Sequence, residues 1–223
     1  VATKLAEHYT AASTKTKNLF PAEYRRVQEQ RKRSSFNKRG GHIDNTVLNA
    51  PFTIDELETQ LALCKDSAPG PDDITVSMIN HLSSQAQNTL LKSLNKLWES
   101  GQIPEQWTRE IKLPFLKPGK NPKHPASYCP ISLTSSLCKL LERMVNHRLM
   151  WFLERNNILC PQQSGFRQNR STVDALMQLT GHIEEGFRNK KHTTAVFFDL
   201  EKAYDTVWRG GILTTLYDLG LRG

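Results

Sequence analysis

Ala195-Val196-Phe197-Phe198-Asp199-Leu200-Glu201-Lys202-Ala203-Tyr204-Asp205 runs an unbroken apolar segment into a carboxylate and then changes to helix-like composition. The apolar run predicts a buried strand from Thr194 to Asp199. A strand that ends in a carboxylate places it at the rim of a sheet, where ligands approach. Asp199 there offers hard oxygen ligands to Mg²⁺ while the ion keeps positions for water and substrate phosphate. Phosphoryl-transfer enzymes often pair two such ions, one on the attacking oxygen and one on the leaving group. The plainer alternative is an Asp that only caps the strand or the next helix.

The flanking segments are mostly helical. Ile212, Leu213, Leu216 and Leu219 predict a last helix, and Ser171 is placed to cap another that carries Val173, Leu176, Ile183 and Phe187. Residues 135–153 give the clearest helix, with Leu137, Leu140, Leu141, Met144, Val145, Leu149 and Phe152 on one broad apolar face. Before it, Ile111, Leu113 and Phe115 alternate with Lys112, so residues 110–116 predict a strand that Pro114 assigns to an edge. The turn-rich Lys117-Pro118-Gly119-Lys120-Asn121-Pro122 leads to a second extended segment at about 127–133, and the two make a basic hairpin.

Residues 77–100 read as one or two helices with a stripe of Leu90, Leu94, Leu97 and Trp98, stopped at Gly101. Ala68-Pro69-Gly70-Pro71-Asp72-Asp73 is a rigid turn. Thr53 and Glu56 have capping-box spacing ahead of Ile54, Leu57, Leu61 and Cys64. The expected class is α+β, helix-rich at the front, with its most buried strand near the C-terminus.

Residues 1–50 show weak periodicity and read as a basic arm or linker, with the ordered domain at 51–223. The net charge of the 223-residue chain is +8, and residues 1–41 alone hold ten Lys or Arg against Glu7, Glu23 and Glu29. Arg31-Lys32-Arg33 is the densest point. Such an arm fits a polyanion, because each cation near a phosphate releases counterions, although a solvated linker has the same composition. Cys64, Cys129, Cys138 and Cys160 are far apart and read as reduced thiols. No apolar run approaches the roughly 20 residues that span a bilayer, and the polar start is unlike a secretory signal. The default setting is therefore cytosolic or nuclear. His124, His147, His182 and His192 lack metal-ligand spacing, and neither a G-x-S-x-G elbow nor a Walker loop occurs.

Two loops could bind phosphate. Lys117 and Lys120 flank Pro118-Gly119 at the hairpin tip, and Gly165-Phe166-Arg167-x-x-Arg170-Ser171-Thr172 brings two Arg to a helix start. Ordinary exposed charges on loops are the alternative for each one taken singly.

In order, these blocks resemble the reverse transcriptase family, most closely its LINE-like, jockey-related group. Ala68-Pro69-Gly70-Pro71-Asp72 matches the "APGPDG" block. Phe115-Leu116-Lys117-Pro118-Gly119-Lys120, Ala126-Ser127-Tyr128 and Pro130-Ile131-Ser132-Leu133 match "I-K-PGK…SYRPISL". Gln163-x-Gly165-Phe166-Arg167-x-x-Arg170-Ser171-Thr172-x-Asp174 matches "QxGFRxxRSTxD", and Phe198-Asp199-x-x-Lys202-Ala203-Tyr204-Asp205-x-Val207 matches "LDxxKAFDxV".

The resemblance implies an incomplete right-hand polymerase fold, with helical fingers bearing a basic hairpin, core motifs from about residue 109, and the first strand and helix of the palm. It implies RNA-templated DNA synthesis with an RNA template, a DNA primer or target and deoxynucleoside triphosphates, and two Mg²⁺ ions, with Mn²⁺ as an alternative. It makes Asp199 the first metal-binding carboxylate, with the backbone carbonyl of Leu200 as a further ligand. Lys117 and Arg167 approach the triphosphate or template, Tyr204 excludes a 2′-hydroxyl, and Lys120, Arg170, Arg31, Lys32 and Arg33 contact nucleic acid. Asp205 is expected to cap the following helix.

Two departures stand out. Cys129 replaces an Arg whose charged fork helps hold the nucleotide, and Asp73 replaces a Gly at a turn position that calls for positive φ. The chain stops at Gly223, before the aromatic-x-Asp-Asp hairpin with the remaining carboxylates, so it is expected not to polymerise by itself. Alternatives are a non-catalytic RNA-binding remnant of a degenerate element and a group II intron-type reverse transcriptase or maturase. Oligomeric state cannot be read from the sequence.

Overall fold

The computed structural model describes residues 46–200 and 203–221. Arg31, Lys32 and Arg33 lie outside these residues. The described residues divide into two compact units, 46–144 with 203–221, and 145–200.

In the first unit, helix α1 (Thr46–Asn49) is followed by α2 (Ile54–Ala62), which begins where a reciprocal cap allows. Thr53 Oγ1 accepts from the Glu56 N–H, and the Glu56 carboxylate accepts from the Thr53 N–H at 2.8 Å. The face that follows buries Leu57 and Leu61. The helical stretch at 77–100 resolves into two helices, α3 (Val76–Asn80) capped by Thr75 and α4 (Ser84–Ser100) capped by Ser83. Gly101 ends α4 with φ 63°, a left-handed conformation that glycine adopts without a Cβ clash. Leu94 is buried on α4, and its neighbour Asn95 clamps the chain entering α2. The Asn95 carboxamide accepts from the Phe52 N–H at 2.6 Å and donates to the Phe52 carbonyl at 2.9 Å. The Phe52 ring meets Trp98 at 5.3 Å between centroids.

Strands β1 (Ile111–Leu116) and β2 (Tyr128–Leu133) form an antiparallel ribbon. Ile111, Leu113 and Phe115 pair with Leu133, Ile131 and Cys129 to make one apolar face. Pro114 stands directly opposite Pro130. The Lys117 N–H donates to the Ser127 carbonyl at 2.8 Å, and ladder alternation from that pair places both prolines at a site without cross-strand bonds. Neither strand therefore loses a ladder bond to its proline.

Helix α5 (Ser136–Arg155) opens behind Ser135, whose Oγ accepts from the Cys138 N–H at 3.5 Å. Leu140, Leu141 and Met144 are buried on it, as the apolar stripe predicts. The Pro-Gly-Pro turn packs on the β2–α5 junction. A Cβ on Gly70 would lie 2.5 Å from the Thr134 carbonyl carbon and 2.6 Å from the Ser135 nitrogen. Glycine is required there because the neighbouring atoms are backbone and cannot rotate away. The same turn closes with the Asp73 N–H donating to the Gly70 carbonyl at 3.1 Å, and Asp73 has φ 55°. The expected positive-φ position is thus occupied by an aspartate.

In the second unit, α6 (Thr172–Arg188) begins behind Ser171, the cap residue that the sequence predicts, and the Asp174 carboxylate completes a capping box there. Its apolar stripe is left open: Val173, Leu176 and Phe187 are all exposed. Two short helices, α7 (Ala203–Thr206) and α8 (Arg209–Asp218), complete the first unit. The N-cap of α8 is Trp208, whose side chain makes no cap bond; the side chain of Asp205, expected to cap this helix, lies outside what the structure describes.

Three helix ends share one bonding pattern. After α5, Asn157 N–H reaches the Glu154 carbonyl and Ile158 N–H the Leu153 carbonyl; the ends of α6 and α8 repeat this at Lys190–Lys191 and Gly220–Leu221. Asn157, Lys190 and Gly220 all have positive φ, the left-handed turn that satisfies the last carbonyls of a helix.

The expected buried strand at 194–199 is not formed. These residues are irregular and exposed, with Val196 at 69%, Phe197 at 81% and Phe198 at 89% exposure. A strand needs a neighbour for its N–H and C=O groups, and no described residue pairs with this segment. The most regular sheet is instead the hairpin in the front half.

Candidate nucleic-acid and nucleotide site

The hairpin tip is built by a tight turn. Pro118 and Gly119 occupy its two central positions, Gly119 at φ 70°, and the Lys120 N–H donates to the Lys117 carbonyl at 3.1 Å. This is the Pro-Gly signature of a type II turn. The Lys117 ammonium donates across the loop to the Ala126 carbonyl at 3.3 Å, and the Tyr128 hydroxyl donates to the Pro122 carbonyl at 3.0 Å. Two cross-loop bonds thus hold the tip in shape, with Lys117, Lys120, Lys123 and His124 exposed on it and no acidic residue between 117 and 127. Such a surface attracts a polyanion through phosphate contacts. At the hairpin base, Glu110 pairs with Lys112 at 2.8 Å, and hydrogen bonds from Lys112 and Ser132 hold its carboxyl below the usual range. Cys129 is exposed on the apolar face opposite Phe115, so an Arg at this place would leave the ribbon from that face.

In the second unit, Arg167 is engaged within the protein. Its guanidinium donates to both Glu154 oxygens, Nε–H at 2.7 Å and Nη2–H at 2.6 Å, and through Nη1 to the carbonyls of Cys160 and Gln163 at 2.9 and 3.2 Å. The Arg167 side chain is 9% exposed. The hydrogen bond with Arg167 holds the Glu154 carboxyl low and raises Arg167. The start of α6 is likewise taken by its own carboxylate: Asp174 accepts from the Ser171 N–H at 2.6 Å and from its hydroxyl at 2.7 Å. These bonds from Ser171 hold the Asp174 carboxyl low. Arg170 is exposed, and its positive charge helps to hold both the Glu154 and the Asp174 carboxyls low. Nothing in the local pattern of residues marked Glu154, which precedes its partner by thirteen positions and lies on another element.

Asp199 and Leu200 follow each other in the exposed segment after α6, and Tyr204 is 77% exposed on α7. Lys117, Lys120 and Tyr204 belong to the first unit, and Arg167, Arg170, Asp199 and Leu200 to the second. Among the described residues no group of three or more His, Cys, Asp and Glu side chains gathers as a metal site. Divalent Mg²⁺ demands near-octahedral oxygen coordination, so Asp199 and the Leu200 carbonyl do not by themselves make a holding site. Elsewhere, burial pushes the Cys138 thiol up to about 11, which leaves it inert. No helix among the described residues is long and apolar enough to cross a membrane.

A family model for reverse transcriptase (RNA-dependent DNA polymerase) matches residues 118–222, a range that begins in the hairpin turn and includes Arg167, Asp199 and Tyr204. The chain belongs to the reverse transcriptase family, and its relatives place it with the enzymes of non-LTR retrotransposons. It is 36% identical to the probable RNA-directed DNA polymerase from transposon BS of Drosophila melanogaster over 76% of this chain and 19% of that protein. From the same organism, the probable RNA-directed DNA polymerase from transposon X-element is 33% identical over 66% of this chain and 16% of that protein. The RNA-directed DNA polymerase from mobile element jockey is 31% identical over 72% of this chain and 18% of that protein. The chain thus spans less than a fifth of the length of these relatives. Reverse transcriptases as a family use divalent metals and act with nucleic acid templates and deoxynucleoside triphosphates.

Proposed function

We propose that this chain is the fingers and the opening of the palm of an RNA-directed DNA polymerase from a non-LTR retrotransposon, with residues 1–50 a basic arm and 51–223 the polymerase portion. The observation that carries the reading is the braced hairpin tip, which offers Lys117 and Lys120 from one tight turn within a wholly basic loop. Those ammonium groups would meet the phosphates of the template or of an incoming deoxynucleotide. Tyr204 would lie against the sugar and reject a 2′-hydroxyl, and Asp199 with the Leu200 carbonyl would contribute ligands to Mg²⁺. Arg31, Lys32 and Arg33 would grip RNA or target DNA.

The 223 residues contain no aromatic-x-Asp-Asp block to complete such a metal site, so the chain by itself is expected to bind an RNA–DNA hybrid without extending the primer. That expectation favours, as a second reading for the chain alone, a non-catalytic RNA-binding remnant. The test is to read the source transcript beyond the codon for Gly223 and assay the protein it encodes for primer extension on RNA. An open frame with an aromatic-x-Asp-Asp block, and extension lost in Asp199→Ala, is the expected result. A frame without that block, or extension indifferent to Asp199→Ala, would sink the polymerase reading.

A further inference from the structure

The loop from α5 to α6, residues 156–171, contains no regular element and holds Phe166 at φ 59° and Asn169 at φ 58°. A bulky aromatic in the left-handed region costs on the order of 1–3 kcal/mol and persists only where its surroundings over-determine it. Phe166 is 86% exposed, so burial of its ring does not repay that cost. The adjacent residue is tied down at several points: Arg167 uses four of its five N–H donors, two on Glu154 and one on each of the carbonyls of Cys160 and Gln163. One guanidinium therefore ties both ends of the 160–167 turn to the last turn of α5. To reach a phosphate it would have to abandon a bidentate carboxylate pair, among the stronger ion-pair geometries, and release two carbonyls.

We propose that Glu154 and Arg167 are a positioning pair that fixes this loop, and that Arg170 is the cation the loop offers to a phosphate. Arg170 lies three residues beyond the anchor, past the left-handed Asn169, and is exposed. The two carboxylates that feel its charge are each hydrogen-bonded to another group, Glu154 to Arg167 and Asp174 to the Ser171 cap of α6. That the phosphate belongs to nucleic acid or to a nucleoside triphosphate rests on the polymerase reading above; the pair itself does not.

The experiment uses the 223-residue chain with two readouts: amide hydrogen exchange through 158–171, and binding of inorganic tripolyphosphate and of a labelled RNA–DNA hybrid. Arg167→Ala, which loses the carboxylate pair and both carbonyl bonds, is expected to speed exchange in the loop at least about tenfold, Glu154→Ala by less, and the double variant no further than Arg167→Ala. Arg167→Lys, which keeps the charge without the fork, should fall between. Arg170→Ala should leave exchange unchanged and weaken one probe several-fold; tripolyphosphate would identify a nucleotide contact and the hybrid a backbone contact.

If Glu154→Ala instead tightens phosphate binding while exchange stays as it was, Arg167 is itself the ligand and the pair is refuted. Unchanged affinity for both probes in Arg170→Ala would remove its assignment. Failure of the unaltered chain to bind either probe would count against the polymerase reading and Arg170 together, while the exchange pattern would still decide the pair.

Discussion

Residues 111–133 and residues 194–199 share a vocabulary of β-branched, aromatic and aliphatic side chains, yet only the first region is a sheet. The hairpin carries two prolines in its strands and keeps much of its apolar face in contact with solvent, with Phe115 52% exposed. The later segment has no proline and a denser apolar run, and remains irregular. What separates them is the distance to a partner. β1 finds β2 across a loop closed by a Pro-Gly turn, so loop-closure entropy is small and every ladder group is satisfied locally. The segment at 194–199 has no such neighbour among the described residues, and composition cannot supply hydrogen bonds. β-propensity here describes a surface that fits into a sheet, and a sheet must exist for it to fit into.

The sharpest way to break this contrast is at the root of the hairpin. Gly70→Ala puts a Cβ into the backbone of Thr134 and Ser135, between β2 and α5, and overpacking of that kind costs about 1–3 kcal/mol or more. A urea titration should show the loss as a lower midpoint, and a midpoint equal to that of the unaltered chain would mean that the turn does not brace the hairpin. Asp73→Gly works in the opposite direction. It relieves a left-handed aspartate at φ 55° and should stabilise the chain by roughly 0.5–1 kcal/mol, the residual of a larger steric relief after glycine's added unfolded-state entropy. A destabilised variant in the same titration would show that the aspartate side chain contributes something the turn geometry does not. The smallest effect belongs to the unpaired segment. A buried phenylalanine typically costs about 3–5 kcal/mol on truncation, whereas Phe197→Ala here should stay within about 0.5 kcal/mol. A loss of several kcal/mol would mean that the 194–199 run is buried in solution after all.

These effects mirror which features could be read from the residues. The capping box at Thr53, the cap at Ser171, the glycine stop at 101, the hairpin and the positive φ at Asp73 all depend on neighbours within a few positions, and each is found in place. Of the site, the Lys117–Lys120 turn was legible for the same reason. Pairings set by the tertiary arrangement were not. Asn95 clamps Phe52 from forty-three residues away, and Glu154 engages an arginine that the motif alone would send to a phosphate. The 194–199 run stays exposed despite its composition, because period and composition report an appetite for burial without naming what will satisfy it. Lys190 took the left-handed helix end usually given to glycine, so no residue-type signal marked it.

The opposed prolines of the ribbon have a consequence for self-assembly. Since both point their nitrogens away from the partner strand, each outer edge lacks an N–H at its midpoint. A third strand, from another copy or another protein, would find a gap in the ladder on either side, which is how natural sheets discourage edge-to-edge growth. The exposed run from Thr193 to Phe198 has no such gatekeeper: it is β-prone, uncharged and free of proline, the makeup of a segment that stacks with its own kind. In a concentrated solution of this chain, the formed sheet is the protected one, and the strand that did not form is where aggregates would nucleate.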